Sequence, residues 1–391
     1  MDYFQESLKL HKKYRGKIEV RSKVPLRNRD DLSLAYTPGV AEPCREIFKN
    51  PTDIYKYTNK GNAVAVVTDG SAVLGLGNIG SAAGLPVMEG KALLFKEFGG
   101  VDAYPICLDT QDTEEIIKTV KMIAPGFGGI NLEDISAPRC FEVEERLIEE
   151  LDIPVFHDDQ HGTAIVVLAG LINALKITGK KFPDIRITVS GIGAAGTAII
   201  KLLITYGVNP KNILLCDSKG AIYKGRGDLS REKEKLAEIT NTACHLGKNH
   251  EGCVTGGLSE AIRGADVFIG VSKPKVLTSE MVKTMAEDPI IFAMANPEPE
   301  IMPELAREGG ARIIATGRSD YPNQINNVLA FPGLFRGVLD AGIRKITNDI
   351  KILTAETIAS FVKNPTPKKF MPDTLNKKVA KKIAEAIMRK Y

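Results

Sequence analysis

The chain lacks a run of apolar residues long enough to cross a bilayer, lacks any paired-cysteine motif, and has little excess of either charge. Its longest greasy stretch, residues 163–175, carries Asn173 near its end. A span needs roughly 20 such residues, so this stretch reads as a buried helix. The first residues, MDYFQESLKLHKKYRGK, are charged throughout and contain no apolar signal core. Lys plus Arg number 52 against 48 Asp plus Glu, a formal net charge of +4. So small an imbalance gives no electrostatic footprint for nucleic acid. The six cysteines are Cys44, Cys107, Cys140, Cys216, Cys244 and Cys253. Without CxxC spacing they read as reduced thiols. Cys244, His245, His250 and Cys253 match no common zinc module, and a solvated loop is expected there. These absences leave a soluble, cytoplasmic protein with neither a membrane nor a nucleic-acid partner as the expectation.

What is present is ordinary globular composition, 43% hydrophobic and 26% charged over 391 residues. That excludes a disordered or fibrous chain and allows about two or three domains. No internal repeat or low-complexity tract interrupts it. Short β-branched runs alternate with helical patterns, which predicts an α/β fold with largely parallel strands. Strands are expected at 63–67, 103–108, 154–156, 185–189, 213–216, 265–271, 290–295 and 312–315, with a helix at 197–206. Past Pro365, Pro367 and Pro372 the tail reads as a lysine-rich helix from Asp373, a solvated face to which no chemistry is assigned.

GxGxxG occurs twice, and context separates the copies. Gly191-Ile-Gly193-Ala194-Ala195-Gly196 directly follows the strand IRITVS and opens the apolar helix TAIIKLLI. Gly191 suits the tight turn, Gly193 the approach of a pyrophosphate, and Gly196 close helix–strand packing. Asp217 ends the next strand, at about the 20-residue spacing expected of a ribose-binding acid. Its charge favours NAD over NADP, and Lys219, two residues on, softens that preference by attracting a phosphate. The bland alternative is a merely tight strand–helix turn. The first copy, Gly75-Leu-Gly77-Asn-Ile-Gly80, stands several residues beyond its strand, and Pro86 is expected to interrupt any helix after it. It reads as a loop beside the substrate rather than a second nucleotide cradle.

Two acidic pairs, Glu133–Asp134 and Asp158–Asp159, follow expected strand ends, where α/β enzymes place ligands. Taken singly, such pairs are more often loop acids or helix caps. Together they offer all-oxygen ligation suited to Mg²⁺ or Mn²⁺. His157 and His161 lie four apart, but Asp-Asp-Gln replaces the Glu that a zinc HExxH helix requires. Lys91, between a glycine and an apolar run, reads as a base if burial near a cation depresses its pKa, or as a snorkelling helix lysine. Tyr36, before a Pro-Gly turn, reads equally as core packing or a proton donor.

With these motifs assembled, the sequence resembles malic enzymes. The likeness rests on Tyr36-Thr-Pro-Gly-Val-Ala, TDGSAVLGLGNIG, Gly90-Lys91, Asn131-Leu-Glu-Asp-Ile, His157-Asp-Asp-Gln-His-Gly-Thr-Ala, GIGAAG, Ala295-Asn296-Pro-Glu-Pro and Asn326-Asn327-Val-Leu-Ala-Phe-Pro-Gly, in the family's order from Tyr36 to Gly333. In length the chain resembles the small-subunit bacterial and archaeal form. The resemblance implies a Rossmann-like dinucleotide domain at 161–327 beside a smaller α/β substrate and metal domain at 1–160, rejoined by 328–391. It implies oxidative decarboxylation of (S)-malate to pyruvate and CO₂ with reduction of NAD or NADP, NAD being favoured, and oxaloacetate decarboxylation besides. Glu133, Asp134 and Asp159 would hold Mg²⁺ or Mn²⁺, Lys91 would be the general base, Tyr36 the general acid, and Asp158 the residue orienting Lys91. Gly191, Gly193, Ala194, Ala195, Gly196, Asp217 and Asn296 would bind the dinucleotide, and Ser71, Asn296 and Asn327 the malate, in a homodimer. Larger animal-type relatives place a carboxylate-clamping arginine where this chain has Ala72, so that recognition is expected to come from Ser71, loop amides or a neighbouring subunit. The alternatives are a malolactic-type enzyme that retains its NAD, and a nucleotide-binding regulatory protein without turnover.

Overall fold

The run AVAVVT shows no polar alternation, as a strand covered on both faces requires, and it forms β1 (Ala63–Thr68), buried at every residue. The computed structural model describes residues 3–248 and 250–391. β1 pairs in parallel with β2 (Asp102–Cys107) on one side and β3 (Gly129–Leu132) on the other, and β3 pairs with β4 (Val155–His157). The order β2-β1-β3-β4 reverses direction at β1. Such a reversal opens a crevice beyond the carboxyl ends of the strands, and Glu133 and Asp134 directly follow β3.

The second sheet repeats that logic. Its order is β10-β9-β8-β5-β6-β7, with β5 (Ile187–Ser190), β6 (Ile213–Asp217), β7 (Gly220–Ala221), β8 (Val267–Gly270), β9 (Ile290–Ala293) and β10 (Ile313–Thr316). All neighbours are parallel except β6 and β7. Here the reversal falls between β5 and β8, with GIGAAG at the end of β5. The chain is thus mixed α/β with parallel sheets, one of them Rossmann-like. The expected strands form, with ends displaced by one or two residues.

Between the sheets runs the Asp158–Thr178 helix, 21 residues long. By length and composition it would pass for a membrane span, yet it is a core helix, with 67% of its apolar window buried. Asn173, the polar interruption in its apolar run, donates Nδ2 to the carbonyls of Ala359 at 2.9 Å and Phe370 at 3.0 Å. That side chain therefore ties the C-terminal segment to the core. The Phe331–Asp340 helix packs on both the Ser81–Gly99 and Lys378–Lys390 helices. Phe331 and Phe335 lie 4.7 and 5.2 Å, ring centre to centre, from Phe95.

Three expectations need correction. Pro86 lies inside the Ser81–Gly99 helix and does not end it; a proline in the second turn removes one amide donor, and burial of Met88, Lys91, Ala92 and Phe95 carries the helix onward. The tail helix starts at Lys378, not Asp373, because Asp373 Oδ1 accepts from Leu375 N at 2.8 Å and closes a local turn first. Finally, Cys244 and Cys253 are not free thiols but are joined in a disulfide across nine residues. The turns between them bring their Cα atoms to 4.5 Å, so neither sulfur remains for zinc.

Glycine fixes the closest helix contact. A Cβ on Gly333 would stand 2.6 Å from the Ala380 carbonyl oxygen and 2.7 Å from its Cα, both backbone atoms that cannot swing away. Alanine normally favours a helix over glycine by roughly 0.5–1 kcal/mol, but here overpacking outweighs that gain. Gly333→Ala is expected to lose about 1–3 kcal/mol, read as a lower urea midpoint at unchanged slope.

Candidate active site

Lys91 sits on the buried face of the Ser81–Gly99 helix, 6% exposed. Its Nζ lies 2.5 Å from Asp158 Oδ2 and 2.8 Å from Glu133 Oε1, and 4.4 Å from the centre of the Phe331 ring. Asn327 Nδ2 also donates to Asp158 Oδ2, and Asn131 Nδ2 donates to Glu133 Oε2 at 2.9 Å. Glu133, Asp134 and Asp159 each offer an oxygen within 4.8 Å of the others. Asp134 adopts a left-handed φ of +54°, which turns the chain sharply at the end of β3. Its N–H donates to Asp159 Oδ2 at 2.8 Å and its carbonyl accepts from Ala72 N at 2.9 Å. Asp158 and Asp159 open a helix, where the positive end of the dipole favours anions.

Four carboxylates thus crowd together, and one ammonium pairs with two of them. Burial pushes the Glu133 carboxyl well above its ordinary range; Lys91 opposes this, while Asp159, Asp158 and Asp134 add to it. Burial likewise raises Asp158 against the pull of Lys91. Lys91 departs from expectation. Burial alone would depress it, but Asp158 and Glu133 outweigh burial and hold it above the usual lysine range. A divalent cation among Glu133, Asp134 and Asp159 would offset that acidic excess and weaken the pull that holds the proton on Lys91. The hard oxygen donors and the crowded negative charge therefore fit Mg²⁺ or Mn²⁺. Among the described residues this trio is the one cluster of His, Cys, Asp and Glu side chains with converging ligand atoms.

Some of the expected residues stand apart. Tyr36 caps the Arg29–Ala35 helix and is 66% exposed. Ser71 is buried, its hydroxyl donating to Asp69 Oδ1 at 2.5 Å and accepting from Ser136 N at 2.9 Å. That hydroxyl braces two loops. Asp69 is also held by Arg139 Nη2 at 2.8 Å, so the loop before Ala72 is braced by an internal Asp–Arg–Ser tie.

Beyond β5 the three fingerprint glycines do distinct work. Gly191 has φ +99°, and a Cβ on it would meet the Val271 carbonyl at 2.4 Å. A Cβ on Gly196 would lie 2.0 Å from the Gly191 carbonyl, whereas one on Gly193 would meet nothing within 4 Å. The turn is therefore closed on the protein side and open at Gly193, before the Ala194–Tyr206 helix where Ala194 and Ala195 offer their amides. Asp217 is already paired: Arg226 Nη2 lies 2.7 Å and Lys233 Nζ 2.6 Å from its Oδ2. Burial would raise the Asp217 carboxyl, but these cations bring it below the usual range. Gly75 links the two halves, since a Cβ there would lie 2.4 Å from the Asn296 carbonyl. The first glycine loop therefore abuts the loop after β9.

Residues 15–148 match the family model described as malic enzyme, N-terminal domain, and residues 160–391 match malic enzyme, NAD binding domain. The chain belongs to the malic enzyme family. A bifunctional malic/malolactic enzyme of Bacillus subtilis is 56% identical over 392 residues, spanning 100% of this chain and 93% of that protein. An NAD-dependent malic enzyme of Geobacillus stearothermophilus is 58% identical over 375 residues, 95% of this chain and 76% of that one. The crystal structure of malic enzyme from Pyrococcus horikoshii superposes with a TM-score of 0.92 at 51% identity, covering 99% of this chain and 90% of the other. As a malic enzyme with the family's NAD binding domain, the chain takes a nicotinamide dinucleotide.

One residue of this malic enzyme site escaped the sequence reading. Glu144, buried, accepts from His157 N at 2.8 Å, Gln160 Nε2 at 3.0 Å and His161 Nε2 at 2.9 Å. His161 Nδ1 meets Lys351 Nζ at 3.1 Å. Burial would raise the Glu144 carboxyl, but His161, His157 and Lys351 draw it down to about 2. The carboxylate thereby clamps the first turn that carries Asp158 and Asp159. A signal was available, since Glu144 shares one helical stripe with Cys140, Val143 and Leu147, an acid where the pattern calls for an apolar residue. His161 is committed to that clamp, which disposes of the zinc pairing with His157. Asp159→Asn is expected to weaken Mn²⁺ by about a hundredfold in a calorimetric titration; an unchanged titration would remove Asp159 from the ligand set.

Proposed function

We propose that this chain oxidises and decarboxylates (S)-malate to pyruvate and CO₂ in the cytoplasm, reducing NAD or NADP, with Mg²⁺ or Mn²⁺ held by Glu133, Asp134 and Asp159. One observation carries the reading: a buried lysine is ion-paired to Asp158 beside three converging carboxylates. A binding module has no use for that charge. The division proposed is residues 1–160 with 328–391 as the substrate and metal unit, and 161–327 as the dinucleotide unit.

When bound among Glu133, Asp134 and Asp159, the cation would supply Lewis acidity, and the nicotinamide a hydride acceptor. Lys91 Nζ takes the C2 hydroxyl proton, and Asp158, itself steadied by Asn327, aims that nitrogen. Asn296 and Asn327 offer amide donors to the malate carboxylates. Tyr36 returns a proton to C3 after CO₂ departs, with Lys91 resupplying it. Because the Tyr36 ring is exposed and the Tyr3–Tyr14 helix buries none of its residues, the proposal includes a homodimer in which docking of a second copy brings a tyrosine to each site.

Arg226 and Lys233 neutralise the acid that would repel a 2′-phosphate, so the sequence argument for NAD loses its basis and both dinucleotides are proposed as substrates. The name of the Bacillus subtilis relative raises a second reading, conversion of malate to lactate on retained dinucleotide. Steady NADH release with malate and Mn²⁺ distinguishes the two.

Lys91→Ala is expected to lower malate oxidation by at least about a hundredfold while NADH fluorescence titration stays as in wild type. Near-normal turnover would dismiss Lys91 as the base. Arg226→Ala uncovers the Asp217 charge, so kcat/KM for NADP should fall roughly tenfold relative to NAD; an equal change for both would refute the charge argument.

A further inference from the structure

Glu300 closes the run ANPEPE and is 0% exposed. Its carboxylate is met by N–H and O–H donors, and among the described residues no cation pairs with it. Oε1 accepts from Ser272 N at 2.7 Å and Ser272 Oγ at 3.3 Å, and Oε2 accepts from Ala295 N at 3.0 Å. Ser272 lies just past β8 and Ala295 just past β9, so one side chain joins the loops at the carboxyl ends of neighbouring strands. Space is reserved for it, because a Cβ on Gly270 would stand 2.4 Å from the Glu300 carboxyl carbon. Its own backbone is fixed too: Leu277 N donates to the Glu300 carbonyl at 3.1 Å.

Each joined loop continues into the dinucleotide site. Ser272 Oγ lies 3.0 Å from Ser190 Oγ, the residue before the glycine turn. A Cβ on Gly191 would be 2.9 Å from Ser272 Cβ, so the position of Ser272 sets the outer wall of that turn. On the other side Ala295 leads to Asn296, whose amide nitrogen would be 3.0 Å from a Cβ on Gly317. A buried charge without a counter-ion is costly, and an apolar residue could fill the same volume. What the carboxylate adds is two acceptor oxygens that bind two separate backbone N–H groups at once.

We propose that Glu300 is a positioning residue for the dinucleotide: it locks the Ser272 loop and the Ala295–Asn296 loop into one rigid edge against which the nicotinamide half is held. This rests on the reading of GIGAAG as the dinucleotide turn. Glu300 touches no reacting atom and acts through Ser272 and Ala295.

Glu300→Gln keeps the shape but turns an NH₂ toward one of the two N–H groups. In this variant the NADH and NADPH dissociation constants, read by fluorescence at 25 °C, are expected to rise roughly tenfold or more, while the Mn²⁺ titration stays within about twofold of wild type. Should the variant not fold, Glu300→Asp, which retains the charge but is too short to reach both loops, is read the same way. Wild-type dinucleotide affinity in whichever variant folds, even with a lowered melting temperature, would overturn the proposal and leave Glu300 a stability residue. A parallel loss of Mn²⁺ affinity would overturn it also, by showing a general disturbance. Failure of the wild-type protein to bind NADH would instead sink the underlying dinucleotide reading.

Discussion

The structure is organised around an electrostatic imbalance. Glu133 and Asp158 pair with Lys91, and Asp134 and Asp159 crowd beside them, all four at the ends of two adjacent strands. Like charges at this range cannot all remain ionised without help. The surroundings supply part of it: the amides of Asn131 and Asn327, the start of a long helix, and one ammonium. The remainder is an acidic excess that a bound cation would offset. Lys91 is therefore governed by whatever balances the carboxylates, and burial alone would have been a poor guide to it.

Much of this was legible in the residues. Unalternating apolar runs marked the parallel strands, and a glycine fingerprint between strand and helix marked the nucleotide turn, because both signals follow from local backbone geometry. The acids were legible as pairs at strand ends. What stayed hidden depended on partners distant in sequence. Nothing near Asp217 announces that Arg226 and Lys233 neutralise it, and nothing near Ser71 announces that the Ser136 amide, 65 residues away, donates to its hydroxyl. The Cys244–Cys253 disulfide was hidden for a different reason, since chain length and the lack of CxxC spacing argue for thiols while the approach of their Cα atoms to 4.5 Å decides otherwise.

Pro86 and Glu144 show the two ways in which local rules fail. Proline in a second helical turn is a breaker by propensity, yet the buried face of its helix carries the lysine the site needs, and packing prevails. Glutamate on an apolar stripe looks like a flaw in the pattern, yet it is the clamp on the next helix. Both exceptions occur where side chains must be held for chemistry, as expected when local preference yields to a site.

Asp158 and Asp159 are consecutive residues at the head of one helix, so their side chains leave its axis about 100° apart. One faces the lysine and the other faces Glu133 and Asp134. The carboxylate that meets Lys91 and the one that meets Glu133 and Asp134 thus share a single rotor, locked by Glu144 at its rim. A small roll of that cylinder would swing both carboxylates together, so their aims are mechanically linked even though each side chain meets different partners.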